Sequence, residues 1–366
     1  MNINIFTPAV SRETGGVNNT AYYLGKYFTE MGGNVTYFTT DSRNNSQNEM
    51  SVVVARGNTI LSKTLSNLIE YRKHKKKANS ATLCLSWRTA IVPYISGLMS
   101  PCNRNLIIMC HGNEVLNSVK STARTHFEEW LRLHVLRSAT VVCANSKFTE
   151  QLVKDIEPHI TTCVIHPCSG ELPTDNKINA DRHTLLSIGR LEERKGFQFV
   201  IEAMMSLKDR YDDVLYLIAG DGDYKSELEK IIAKNKLEGC CKLVGRVTEE
   251  EKKELLDKCT LLVMPSFLDT SQKSVEGFGI VYIEANAHGK AVIASRSGGI
   301  PDAVIEGKTG ILISEKSVEQ LKQAIIDCFE NKITFDRAQC FSWAAEHYYP
   351  NIANKYYELL TKITKH

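Results

Sequence analysis

Two carboxylates stand eight residues apart in Glu276-Gly-Phe-Gly-Ile-Val-Tyr-Ile-Glu284, where glycines open an apolar helical run that ends near His288. Glu284 falls about one turn into that helix and Glu276 on the loop at its mouth. Carboxylates accept hydrogen bonds from paired hydroxyls, and a helix N-terminus attracts anions. The combination suits a ligand in which a sugar and a ribose flank phosphates. A solvent-facing glutamate does not account for Glu284, which sits among Ile280, Val281, Ile283 and Ala285 on a helix apolar almost all round.

A second group is Gly189-Arg190-Leu-Glu-Glu-Arg-Lys195-Gly196, between a strand and a helix. Arg190 leaves the strand end and Lys195 lies near the next helix start, so the two cations can converge on a diphosphate, one as a fork and one as a point charge. Glu192, Glu193 and Arg194 read as solvated loop charges. Gly15-Gly16-Val17, before a helix at Asn18–Met31, lets an oxyanion approach backbone N–H groups, though a plain turn would look the same. It lacks the G-x-G-x-x-G pattern, which disfavours a nicotinamide enzyme. Cys110-His111-Gly-Asn-Glu114 closes a strand at the sheet end where doubly wound domains place reactive groups, which aims His111 at a cleft. Asp221-Gly-Asp223 reads as a turn with Asp223 as helix N-cap, and Cys163, His166 and Cys168 as ordinary packing. No metal is assigned.

The elements that must position these residues alternate along nearly the whole chain. Largely apolar strands such as Asn2–Phe6, Leu106–Cys110, Leu185–Ile188 and Leu261–Met264 are spaced by amphipathic helices. That pattern predicts an α/β protein of two doubly wound, Rossmann-like domains with parallel sheets. The first is expected over 1–172 and the second over 178–344, joined by the polar stretch Gly170–Asn179 with its Pro and Gly. A C-terminal helix, 345–366, crosses back onto the first, and a ligand cleft lies between the domains.

Composition narrows the classes. The 366 residues carry 45 Lys and Arg against 42 Asp and Glu, too small a surplus for a protein that coats nucleic acid. No apolar run approaches the roughly 20 residues that span a bilayer, and Met1–Val10 does not read as a signal peptide. The 11 cysteines, an odd number on apolar stretches, read as buried thiols, so the expected address is the cytoplasm.

In this order the motifs resemble the retaining family-4 glycosyltransferases of the GT-B fold, of the bacterial polysaccharide and glycolipid assembly type. The resemblance covers essentially the whole chain and includes the softer marks Gly220-Asp-Gly222, Gly245-Arg-Val247, Ser297-Gly-Gly-Ile-Pro301 and Glu306-Gly-Lys-Thr-Gly310. It implies that Arg190 and Lys195 hold the diphosphate of a nucleotide-sugar donor, helped by the backbone at Gly15 and Gly16. Glu284 would bind the ribose. Glu276 would take the transferred sugar with the amides of Gly277, Phe278 and Gly279, and with Ile280 beside them. His111 would sit next to that sugar and the backbone near Val247 next to the base. His111, Glu276, Arg190 and Lys195 are thus the expected catalytic set. No cofactor or metal is implied.

The stretch 276–284 looks most like members that use GDP-mannose, with a UDP-sugar as the other donor. Ala291 replaces a frequent proline, and the polar loop Phe267–Val275, with Asp269 and Lys273, borders the expected sugar pocket. The expected acceptor is a saccharide or lipid-linked oligosaccharide in lipopolysaccharide or O-antigen synthesis. The basic run Tyr71-Arg-Lys-His-Lys-Lys-Lys77 suits peripheral contact with anionic lipid at the inner face of the plasma membrane, or a solvated helix face. Two rivals remain open: a sugar-nucleotide epimerase on the same fold, and a non-catalytic nucleotide-sugar-binding subunit.

Overall fold

Short runs of β-branched and apolar residues form strands whose two faces are both covered by helices. The computed structural model describes residues 1–10, 15–40, 51–75, 79–99, 105–117, 122–170, 172 and 183–365. The chain divides into two compact units, Met1–Gly170 with Tyr349–His366, and Glu171–Tyr348. The expected linker 170–179 lies almost wholly outside the described residues.

In the first unit the order is β1 (Asn2–Phe6), α1 (Gly15–Glu30), β2 (Asn34–Thr39), β3 (Ser51–Val54), α2 (Ile60–Lys75), β4 (Ser80–Cys84), α3 (Ile91–Met99), β5 (Leu106–Cys110), α4 (Ala123–Arg137), β6 (Val141–Ala144), α5 (Lys147–Ile156) and β7 (Thr162–Val164). All neighbours pair in parallel, in the order β3-β2-β1-β4-β5-β6-β7. Strand alternation splits the core. Phe6 stacks on Phe38 at 4.6 Å, with Tyr71 of α2 edge-on to both, whereas Ile3 and Ile5 are buried on the other face. The order of strands brings the C-terminal end of β5, and so His111, beside the segments that follow β4 and β6.

The second unit runs β8 (Thr184–Ile188), α6 (Phe197–Arg210), β9 (Leu215–Ala219), α7 (Lys225–Lys234), β10 (Cys241–Gly245), α8 (Glu249–Lys258), β11 (Leu261–Met264), α9 (Ile280–Ala287), β12 (Val292–Ser295), α10 (Ile300–Ala303), β13 (Gly310–Ile313), α11 (Val318–Phe329) and α12 (Arg337–Glu346). Its sheet is again parallel, ordered β10-β9-β8-β11-β12-β13. The order reverses at β8, so the segments after β8 and β11 lie at the switch point where open α/β sheets place ligands. A last helix, α13 (Tyr349–Thr364), belongs to the first unit and packs on α1, with Tyr349 stacked on Tyr23 at 5.0 Å.

Three local expectations are corrected. Gly15 and Gly16 do not form a turn ahead of a helix starting at Asn18, because α1 begins at Gly15. First-turn N–H groups have no helical acceptor, so glycine there forfeits no bond and still offers N–H groups. Asp223 does not cap α7, since the chain is already helical at Tyr224 (φ −85°, ψ −1°), which occupies the cap position without a side-chain bond. The C-terminal helix expected over 345–366 begins only at Tyr349, after α12 has ended at Glu346. Pro350, in the first turn of α13, has no N–H to continue α12. The expectation of ordinary packing at Cys163 holds: its thiol lies 3.2 Å from that of Cys143 on the neighbouring strand, and both are free.

Candidate functional site

The second unit builds a charged cluster from two loops. After β8 the chain turns through a short 3-10 segment, Glu193–Lys195, to Gly196, which caps α6 at φ +79°. A Cβ at Gly196 would meet the carbonyl oxygen of Pro265 at 2.3 Å, so glycine lets this loop lie directly on the segment after β11. That segment leads to Glu276 and then α9. The Glu276 carbonyl accepts from the N–H of Gly299 at 2.9 Å, so the Ser297–Pro301 motif anchors the loop that carries the carboxylate.

Glu276 receives two cations on one oxygen. Lys195 Nζ lies 2.5 Å and Arg194 Nη1 3.4 Å from Oε2. All three side chains are largely buried, with 13%, 12% and 17% exposure for Lys195, Arg194 and Glu276. Burial pushes the Glu276 carboxyl up, but the two cations outweigh it and hold it below the ordinary glutamate value. Arg194 also reaches Glu192, with Nε 3.0 Å from Oε2. The expectation that Arg194 is solvated is therefore wrong. The tight turn at Gly196 folds it inward beside Lys195. Arg190, in contrast, is 75% exposed and holds Glu192 at 3.3 Å.

Gly279, at the N-cap of α9, takes φ +97°. A Cβ there would meet the Tyr282 ring at 2.3 Å. The buried Tyr282 donates to the Met264 carbonyl at 2.8 Å and so fastens the helix start to the end of β11. Gly277, Phe278 and Gly279, between Glu276 and α9, are all buried, and Ile280 only partly. The Phe278 side chain belongs to the core.

One turn on, Glu284 pairs with Lys252 of α8, Oε1 to Nζ 2.8 Å, and Lys252 also holds Glu249 at 2.8 Å. Burial disfavours the Lys252 ammonium, yet the two carboxylates more than offset it and raise its pKa above the ordinary lysine range. Val247, half-buried, follows β10 just ahead of Thr248, whose side chain caps α8 in a reciprocal bond with Glu251. Gly220 donates to the Gly245 carbonyl at 2.7 Å and Arg246 bonds Asp221 at 3.2 Å, which ties the loops after β9 and β10 together.

In the first unit, His111 Nε2 lies 2.7 Å from the Leu85 carbonyl. A carbonyl only accepts, so Nε2 carries the proton and Nδ1 is the ring atom left to accept in the neutral form. The His111 N–H donates to Glu114 at 2.6 Å, and Asn145 donates to the His111 carbonyl at 3.2 Å. His111 is thus held from both neighbouring strand ends, its ring by Leu85 after β4 and its backbone by Asn145 after β6. Glu192, Arg194 and Lys252 are charged groups that sequence reasoning missed. Arg194 and Lys252 meet Glu276 and Glu284 far along the chain, whereas Glu192 pairs locally with Arg190 and Arg194 and the one local sign for Lys252 is Glu249 at i−3. Among the described residues, no group of three His, Cys, Asp or Glu is arranged to hold a metal, and no helix is long and apolar enough to cross a membrane.

Residues 14–168 match the model of Glycosyltransferase Family 4, and residues 170–346 match that of Glycosyl transferases group 1. The chain belongs to the family-4 glycosyltransferases. Among curated relatives of this glycosyltransferase, the amylovoran biosynthesis glycosyltransferase AmsK of Erwinia amylovora is 35% identical over 142 residues, 39% of this chain and 35% of that protein. A GDP-mannose-dependent alpha-(1-6)-phosphatidylinositol monomannoside mannosyltransferase of Mycolicibacterium smegmatis is 27% identical over 236 residues, 61% of this chain and 60% of the other. The chain thus spans between a third and three fifths of these relatives' own lengths. The structure of Anabaena HepE in complex with UDP superposes with a TM-score of 0.79 at 19% identity, over 99% of this glycosyltransferase and 100% of HepE. The two parallel-sheet units are those of the GT-B fold.

Proposed function

We propose that this glycosyltransferase moves a hexose from a nucleotide-diphosphate sugar to a saccharide or lipid-linked oligosaccharide in cell-surface polysaccharide synthesis, with retention of anomeric configuration. The observation that carries the reading is the buried Lys195–Glu276 pair at the mouth of α9, with Glu284 one turn along the same helix. A buried cation and carboxylate near a helix N-terminus suit a phosphate next to a sugar, and a second carboxylate suits the ribose. GDP-mannose is the preferred donor, supported by the donor named for the mycobacterial relative, and a UDP-sugar is the other, supported by the UDP bound to HepE.

Lys195 and Arg190 stabilise the leaving diphosphate, with the α1 backbone at Gly15 and Gly16 assisting. Glu276 binds hydroxyls of the transferred sugar with the amides of Gly277 to Gly279 and with Ile280 beside them, and Glu284 binds the ribose. Val247 lies next to the base. His111 attends the sugar through Nδ1, since Nε2 is committed to Leu85. With no separate nucleophile assigned, substitution proceeds on one face through an oxocarbenium-like state, and the departing diphosphate takes the acceptor hydroxyl proton. The protein then acts electrostatically, and one well-placed donor contributes about 3 kcal/mol. No cofactor or metal enters this scheme. The acceptor side includes peripheral contact with anionic membrane at the inner face of the plasma membrane through the basic run 71–77, of which 76 and 77 lie outside the described residues.

The test is thermal unfolding with UDP, GDP and ADP, each alone and as sugar conjugates, with Glu284→Ala as control. Ligand binding to the native state raises Tm in proportion to ln(1 + [L]/Kd). A rise with one base, abolished in Glu284→Ala, is expected. No rise with any nucleotide in folded protein overturns the donor site.

A further inference from the structure

Two thiols face each other at the edge of the first sheet. Cys143 on β6 and Cys163 on β7 are direct partners in the parallel register, so their side chains leave the same face. The two sulfurs lie 3.2 Å apart, and both are free. Neighbouring strands run about 4.8 Å apart, inside the span of roughly 4.4–6.8 Å between Cα atoms that a disulfide accepts. Closing a bond here asks for rotation of two side chains and no rearrangement of the main chain.

The two thiols are not equivalent. Cys163 is partly exposed on β7, the last strand in the sheet order, whereas Cys143 is buried on β6. The Cys143 thiol donates to the Cys163 sulfur. That bond holds Cys163 below the ordinary thiol value, against burial and the nearby Glu150 carboxylate, and together with burial it pushes Cys143 well above. Glu150 itself accepts from Thr162 at 2.7 Å. Tyr356 of α13 is buried, and its hydroxyl is raised by burial first and then by the Cys143, Cys163, Cys168 and Cys110 thiols, so α13 lies over this face of the sheet. A small oxidant therefore meets Cys163 first. Cys168, further along the same segment, is the contrast: it is buried, and burial pushes its thiol up to about 12. An accessible thiol of lowered pKa beside a second thiol is the arrangement that peroxides oxidise selectively.

We propose that Cys143 and Cys163 form a dithiol that hydrogen peroxide oxidises reversibly to a disulfide, clasping β7 to β6. The Cys163 thiolate attacks one peroxide oxygen, so that an S–O bond forms as the O–O bond breaks. The departing hydroxide takes up the proton that Cys163 released and leaves as water. The Cys143 sulfur then attacks the sulfenic sulfur of Cys163. An S–S bond forms, the S–O bond breaks, and the hydroxyl leaves as a second water with the Cys143 proton. Two thiols are oxidised and one peroxide is reduced, and a dithiol reductant reverses the change. β7 has three residues and ends the sheet order, so the bond adds a tether where strand pairing is weakest. None of the donor-site residues takes part, so the proposal stands whether or not that site is assigned correctly.

The experiment treats the reduced full chain with hydrogen peroxide, alkylates the remaining thiols and maps the peptides by mass spectrometry. Expected is a peptide pair joined through Cys143 and Cys163 and released by dithiothreitol, with Cys163 consumed roughly tenfold faster than the buried Cys168. Cys143→Ala should remove the joined pair and leave Cys163 as a sulfenic acid that dimedone labels. Cys163→Ser should leave Cys143 unoxidised. Amide hydrogen exchange across Thr162–Val164 should slow in the oxidised wild type and not in peroxide-treated Cys143→Ala. Failure to recover the joined pair from folded wild-type protein overturns the proposal. So does comparable linkage through other cysteines, or a Cys163→Ser variant in which Cys143 oxidises at the wild-type rate. A joined pair with unchanged exchange in β7 removes the clasp.

Discussion

Arg194 Nη1 lies 3.4 Å from Oε2 of Glu276, a residue 82 positions further along the chain. Lys195 meets that same oxygen, so the carboxylate is neutralised twice over. A phosphate that draws Lys195 toward itself therefore does not leave Glu276 as a bare buried charge, a state that is strongly unfavourable. Arg194 is placed to keep it paired.

Replacing Arg194 by Ala makes Lys195 the only buried partner of Glu276, so the lysine must divide itself between carboxylate and phosphate. A charge-assisted bond contributes about 1.5–3 kcal/mol, and 1.4 kcal/mol is tenfold in affinity. Calorimetric titration should find nucleotide-diphosphate Kd raised about tenfold or more in Arg194→Ala, with most of the loss restored in Arg194→Lys. An unchanged Kd in the alanine variant removes this role.

The two assigned phosphate ligands should separate in their effects on stability. Both Lys195→Ala and Arg190→Ala are expected to lower turnover by about 10²–10³. Arg190 is 75% exposed and its pair with Glu192 is a surface one, worth roughly 0–1 kcal/mol, so its loss leaves Tm nearly unchanged. Lys195 is buried against Glu276, and its loss should lower Tm measurably. Near-normal turnover in either variant rejects its phosphate role.

The same cluster sets a pH dependence. The Glu276 carboxyl is held below its ordinary value in the folded state by Lys195 and Arg194, against the effect of burial. A depressed folded pKa means stabilisation that is complete above the unfolded value, about 4.3, and is lost as pH falls through the folded one. Other carboxylates such as Glu157 and Asp213 are lowered as well, so the total slope is not diagnostic. The difference is. Urea midpoints of the nucleotide-free protein between pH 6 and 3 should fall less steeply in Glu276→Gln than in the wild type. Parallel curves would mean that Glu276 is not ion-paired in solution.

What could be read locally from the chain follows from the range of the forces involved. Strands such as Leu106–Cys110 and Leu261–Met264 are apolar on both faces because helices cover both, so sequence alone shows them. Glu276 and Glu284 lie on one loop-and-helix segment, and their spacing is a local property of α9. Arg194 and Lys252 are different. Their environments come from partners 82 and 32 positions away, and no local pattern distinguishes a buried arginine in a charged loop from its solvated neighbours. β13 carries a weak local signal for another reason. It is four residues long and begins with Gly310, a residue that reads as a turn.

Gly196 tests whether the loop after β8 must lie on the segment after β11. It combines φ +79° with a Cβ position 2.3 Å from the Pro265 oxygen, so alanine meets both backbone strain and a clash with main chain. Gly196→Ala should lose about 2–3 kcal/mol in chemical denaturation. It should also weaken nucleotide binding, since displacement there moves Arg194 and Lys195. Wild-type stability and affinity together would show that the loop has room the close approach denies.

Lys252 offers the sharpest division between binding and turnover. Its ammonium sits between Glu284 and Glu249, and the two carboxylates raise its pKa despite burial. A raised folded pKa gives stabilisation that is complete below the unfolded value, about 10.4, and lost only as pH rises through the folded one, so it is fully present at pH 7. Because the bond engages Oε1 of Glu284, that carboxylate is held in one orientation with Oε2 turned to its own surroundings. Lys252→Met removes the hold and leaves two carboxylates facing each other. Expected are a loss of about 1–3 kcal/mol at pH 7, smaller than for a fully buried pair because both glutamates retain some solvent. Donor KM should rise about tenfold with kcat little changed, the signature of contacts equal in ground and transition states. Steady-state kinetics with saturating acceptor would decide it. If kcat falls while KM holds, Glu284 acts on the reacting centre rather than on the ribose.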